Sequence, residues 1–129
     1  MGDALVFCVP GPPQACQRAR VVRGIDGKSR GVTPARTRAY EEVVRLVAQG
    51  AAAAHRWQPR EAARYAFSLR AYRAREVGDA DNYAKSVMDA LRGVAWVDDR
   101  QVTRLVVELY LDRVRPRAEV EVRVVECGR

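Results

Sequence analysis

Tyr65, Phe67, Leu69 and Ala71 alternate with Ala66, Ser68, Arg70 and Tyr72, the two-residue period of a half-buried strand. The same alternation predicts a strand over Val102 to Leu111, with Leu105, Val107, Leu109 and Leu111 facing one way. It predicts another over Ala118 to Val125, with Ala118, Val120, Val122 and Val124 inward, and Asp112 to Arg117 as the hairpin between them. Ala4 to Val9 reads as a short buried strand, which Pro10-Gly11-Pro12-Pro13 closes because proline cannot continue a ladder. Apolar positions at Tyr40, Val43, Val44, Val47, Ala51 and Ala54 recur at helical spacing. Thr33-Pro34 marks the start of that helix, which runs to about His55. A second helix, from Asn82 to about Gly93 with Asp81 as its cap, carries Tyr83, Ala84, Val87, Met88, Ala90, Leu91 and Val94 on one wide apolar arc.

The order β-α-β-α-β-β predicts one α+β domain over residues 1–129, a mixed sheet with helices packed on it. The arc of the second helix is wider than one sheet face needs, so part of it is expected to help form a homodimer interface. From Gln14 to Val32 no such pattern is read. Arg18, Arg20, Arg23, Lys28 and Arg30 stand there among three glycines, the composition of a solvated loop that presents cations.

The net charge of +7 directs attention to a polyanionic partner, since a positive surplus speeds association with phosphate backbones or acidic membranes. A merely soluble basic protein is the plain alternative. Cys8, Cys16 and Cys127 are odd in number, widely spaced and form no CxxC pair, so neither a disulfide framework nor a zinc knuckle is expected. No leader-like or bilayer-spanning apolar stretch is visible, and a soluble, cytoplasmic protein is the expectation.

The candidate chemistry lies in Gly78-Asp79-Ala80-Asp81-Asn82 and Val97-Asp98-Asp99. Asp79 and Asp81 are one residue apart at a strand-to-helix junction, so in extended geometry their carboxylates project the same way and could share a hard cation. Asp98 and Asp99 are sequential, so only one can point to that ion, and Asp99 is the choice. Lys85 follows Asp81 by one helical turn and could stabilise charge developing on a phosphate. Capping by Asp81, a turn at Asp98-Asp99 and a surface pair of Asp81 with Lys85, continued to Asp89, explain the same residues without chemistry.

Taken together, Asp79-Ala80-Asp81-Asn82-Tyr83-Ala84-Lys85, Met88-Asp89-Ala90-Leu91, Gly93-Val94, Trp96-Val97-Asp98-Asp99 and Gln101-Val102 closely resemble the RusA family of Holliday-junction resolvases. Upstream, Pro10-Gly11 followed by Arg18-Ala19-Arg20 is similar to the family's basic loop, and Thr33-Pro34-Ala35-Arg36-Thr37-Arg38-Ala39-Tyr40-Glu41 to its first helix. The loop departs from a Lys-Gly-Arg-Pro-Arg-Phe-like pattern, reading Cys16-Gln17-Arg18-Ala19-Arg20-Val21 instead. The resemblance implies a homodimeric endonuclease that nicks four-way DNA junctions symmetrically, using magnesium with manganese as a substitute. By matching position, Asp79, Asp81 and Asp99 would be the metal carboxylates and Lys85 the essential cation. Arg18, Arg20, Arg36 and Arg38 would hold DNA phosphates. A non-catalytic nucleic-acid-binding protein, or a metal nuclease for flaps or forks, are the competing readings.

Overall fold

The computed structural model describes residues 4–16, 20–23, 25, 27, 29–32 and 35–127. Along the chain these form β1 (Ala4–Pro10), β2 (Arg20–Arg23), β3 (Ser29–Val32), α1 (Ala35–His55), β4 (Ala63–Arg73), α2 (Ala80–Leu91), a 3-10 turn (Asp99–Gln101), β5 (Val102–Leu111) and β6 (Arg117–Cys127). The main sheet has the order β1-β6-β4-β5. β4 and β5 run parallel, as the α2 crossover between them requires, whereas β6 is antiparallel to both β1 and β4. The fold is therefore α+β with a mixed sheet, as the periodicities predict.

Alternation decides which sheet face is buried. Leu5, Phe7 and Val9 of β1 lie in register with Val122, Val120 and Ala118 of β6, and Phe67, Leu69 and Ala71 of β4 continue the same rows. All are buried, and Tyr40, Val44 and Ala48 of α1 join them with Tyr83, Val87 and Leu91 of α2 in one core. Trp96 is fully buried among rings, with its centroid 5.8 Å from Phe67 edge-on and 6.2 Å from Tyr65.

Several expectations change. Asp112 to Arg117 is no hairpin, because β4 lies between β5 and β6; both strands hydrogen-bond to β4 instead of to each other. The Gln14–Val32 stretch contains a ribbon, β2 paired antiparallel with β3 from Arg20↔Val32 to Arg23↔Ser29. The β-branched Val21-Val22 and a glycine at positive φ, Gly27, supply what a strand and its turn need, and the basic composition masked that signal. On α1, Val43 and Ala54 are exposed, while Thr37 and Ala48 are buried. The Thr33-Pro34 start signal and Arg18 lie outside the described residues.

α2 begins two residues earlier than the pattern suggests. Asp79 takes the cap position, without a capping hydrogen bond from its side chain, and Asp81 lies inside the first turn. Most of its apolar arc is consumed within the chain: Tyr83, Ala84, Val87, Ala90, Leu91 and Val94 are all buried, which leaves Met88 alone of the arc partly exposed and little of it for a dimer face. The apolar residues left exposed lie elsewhere, above all on β5, where Leu105 is 51% and Leu111 45% exposed on the sheet's outer edge.

Candidate active site

β4 delivers the chain to Gly78, whose φ of +82° suits glycine, and a Cβ there would come within 3.0 Å of Ala15 and of the Tyr83 ring. That close approach turns the chain into α2 and leaves Asp79 and Asp81 exposed at the helix N-terminus, where partial positive charge favours carboxylates. Among the described residues neither carboxylate has an ion-pair partner. The segment leading to the basic loop is strapped beside them. The Cys16 amide donates to the Asn82 carbonyl at 2.9 Å, and the Ser86 hydroxyl donates to the Gln14 carbonyl at 2.7 Å.

Asp99 is placed by different means and at a different end. Its Oδ1 accepts a 2.7 Å hydrogen bond from the Trp96 indole, and its Oδ2 lies 2.8 Å from the Arg92 guanidinium. Gln101, buried, locks this turn: its Nε2 donates to the carbonyls of Arg60 (2.6 Å), Glu61 (3.1 Å) and Ala63 (3.0 Å). Its Oε1 accepts from the amides of Val97 (2.9 Å) and Asp98 (3.0 Å). Asp98 caps the 3-10 turn by accepting from the Arg100 amide at 2.9 Å, and that bond together with the Arg100 side chain holds its carboxyl below the ordinary range. Asp98 is thus occupied with the turn, as Asp99 is with Trp96 and Arg92.

Between the two ends runs a line of charge on α2. Lys85 faces Asp89 at 3.4 Å rather than Asp81, Asp89 lies 3.8 Å from Arg92, and Arg92 reaches Asp99. Across from α1, Glu41 has its carboxyl pushed up, first by burial and then by Asp89, while Lys85 and Arg45 oppose the shift.

Consequently one chain does not group Asp79, Asp81 and Asp99, and with Asp81 inside the first helical turn the extended spacing that would aim its carboxylate with that of Asp79 is not kept. The first pair stands at the start of α2 and Asp99 sits against Arg92 just past its end; the helix has 12 residues, an axial length of ~18 Å at the usual rise. Carboxylate oxygens suit a hard divalent cation in chemistry. Their number at one point does not suffice within one chain, for among the described residues no three His, Cys, Asp or Glu side chains group closely enough to hold an ion.

Of the sequence-predicted cations, Lys85, Arg36 and Arg38 are exposed, Arg20 opens β2, and Arg18 is outside the described residues. The pattern reading missed Gln101 as the clamp of the Asp99 turn, and it missed Arg73 and Arg75. With Arg36, these two line a cleft beside Gly78. Their signal was available as two arginines immediately ahead of the Asp79 segment.

A small mixed α+β domain with exposed acids on a βαβ crossover, flanked by arginines, carries residue types suited to a divalent cation and to phosphates. Residues 10–123 match the family model of the endodeoxyribonuclease RusA, nearly the whole chain, and the chain belongs to that family of Holliday-junction-resolving nucleases. A search of curated proteins found no match. No helix among the described residues is long and apolar enough to cross a membrane.

Proposed function

We propose that the protein is a magnesium-dependent, cytoplasmic endodeoxyribonuclease that resolves four-way DNA junctions by paired nicks, and that it acts as a homodimer whose metal sites are shared between subunits. The supporting observation is the separation of Asp79 and Asp81 from Asp99 by the length of α2. Asp79 and Asp81 of one subunit and Asp99 of the other would complete each site, and twofold symmetry then yields two sites for two opposed strands. An ion bound there would activate the attacking water and neutralise phosphate charge. Trp96 and Gln101 hold Asp99 in place, Lys85 offers its ammonium to charge developing on the phosphate, and Arg36 and Arg38 hold the backbone outside the cut. Arg18 and Arg20 are assigned to the same task on the basic loop.

The test incubates purified protein with labelled four-way junction, flap and linear duplex DNA, with magnesium, manganese or chelator. Symmetric nicks confined to the junction and dependent on the metal support the reading. Equal cutting of linear duplex removes the resolvase claim, and equally tight metal-independent binding without nicks replaces it with a binding protein.

A further inference from the structure

The cleft beside Gly78 has a volume of about 390 Å³ and is walled by Pro12, Pro13 and Val77 together with Arg36, Arg73 and Arg75. A volume of this order accepts a small organic molecule, beyond a bare ion. Its two wall chemistries differ. Pro12 and Pro13 come from the segment after β1, fixed by the Ser86 and Cys16 bonds described above, and supply rigid apolar surface. Beneath this wall the Tyr83 ring, only 2% exposed, braces Val77 through a 2.5 Å hydrogen bond from its hydroxyl to the Val77 carbonyl. The Arg73 guanidinium lies 5.7 Å from that ring's centroid and is itself anchored on the carbonyls of Val77 and Tyr110. Arg73 is therefore part of the wall, while Arg36 and Arg75 are exposed and have no ion-pair partner among the described residues.

Apolar surface for a planar base, with guanidinium groups for a phosphate, is the chemistry of a single-nucleotide site. The cleft also has a defined position, because Gly78 lines it and the next residue is Asp79. We infer that it is a nucleotide pocket: one nucleotide neighbouring the scissile phosphate leaves the base stack and enters it, its base against the exposed Pro12 and Val77 and its phosphate on Arg36 and Arg75. The pocket rests on the endonuclease reading and adds to it a place where the DNA is opened and its sequence examined. Extruding a nucleotide costs least where stacking is already broken, as at the branch point of a junction. The pocket thereby links cutting to branched DNA.

Two measurements in chelator test it, so neither depends on cleavage. Four-way junctions carrying 2-aminopurine at single positions around the exchange point are titrated with protein. One position next to the nick should brighten several-fold, and the rise should vanish in Val77→Trp, which fills the cleft from an exposed position. Junction binding without brightening at any position overturns the pocket, as does unchanged brightening in Val77→Trp. In the second measurement, a fluorescent single-stranded pentanucleotide should bind at least tenfold more weakly to Val77→Trp and to the double variant Arg36→Gln/Arg75→Gln than to the parent. Equal binding by both overturns the assignment. Should the parent bind the pentanucleotide in this way yet leave junctions uncut with magnesium, the endonuclease reading fails and the nucleotide site stands.

Discussion

The buried indole of Trp96 donates a 2.7 Å hydrogen bond to the carboxylate of Asp99. A ring packed against Phe67 and Tyr65 thus fixes the direction of an acid at the surface, tying the proposed chemistry to the core. Trp96→Phe keeps most of the packing and removes the donor. Junction cleavage under single-turnover conditions should fall roughly tenfold, ~1.4 kcal/mol of barrier, while the variant remains folded by circular dichroism. Unchanged cleavage would show that the bond does not position Asp99.

In the proposed metal site Arg92, 2.8 Å from the Asp99 carboxylate, would compete with the cation for it. Arg92→Gln should therefore bind manganese more tightly, by several-fold in calorimetry. If removing the guanidinium weakens binding, Arg92 serves to orient Asp99 and does not occlude it.

Gln101 serves three carbonyls and two amides from a buried position. Gln101→Leu leaves these polar groups without their partner, a loss of about 2–3 kcal/mol of unfolding free energy by the usual cost of unmade buried hydrogen bonds. Denaturant melts measure it. A change below about 0.5 kcal/mol would mean that water replaces the amide.

Glu41 gives a pH dependence with a definite sign. Burial raises its carboxyl in the folded chain, so the folded state favours the protonated form. Its contribution is complete below the unfolded carboxyl pKa and is lost as pH rises through the raised folded value. Glu41→Gln should accordingly leave stability unchanged near pH ~4 and raise it near pH ~7 relative to the parent, as read by urea unfolding at both. A parent that gains stability over the variant with rising pH would contradict this.

β5 forms an open sheet edge with Leu105 and Leu111 half exposed, which a second copy of the chain could cover. With the proposed dimer formed through this edge, Leu105→Glu should shift the protein toward monomer in sedimentation at micromolar concentration. A dimer of undiminished strength would place the interface elsewhere.

The buried rows of β1, β4 and β6 were legible in the sequence because two-residue alternation reports directly which face is inward. Pairing was not legible. Whether β6 meets β5 or β4 depends on the crossover through α2, and alternation is the same for either neighbour. The β2-β3 ribbon was obscured by its arginines. In the site, Asp79, Asp81, Asp99 and Lys85 stood out by residue type and by resemblance to a family, but their separation along α2 is a three-dimensional fact that a linear motif conceals. The partners that hold Asp99, namely Trp96, Arg92 and Gln101, were visible only as neighbouring letters until their hydrogen bonds were seen.

The claim that each site draws carboxylates from two subunits is tested most directly by mixing two inactive proteins. Asp79→Asn and Asp99→Asn chains, unfolded and refolded together, form heterodimers in which one site holds both substitutions and the other holds neither. Shared sites predict that the mixture nicks junctions with magnesium, on one strand per binding event, although each variant alone is inert. A mixture as inactive as its components, with heterodimers demonstrated by differently tagged chains, would contradict the shared site and place all three carboxylates within one subunit.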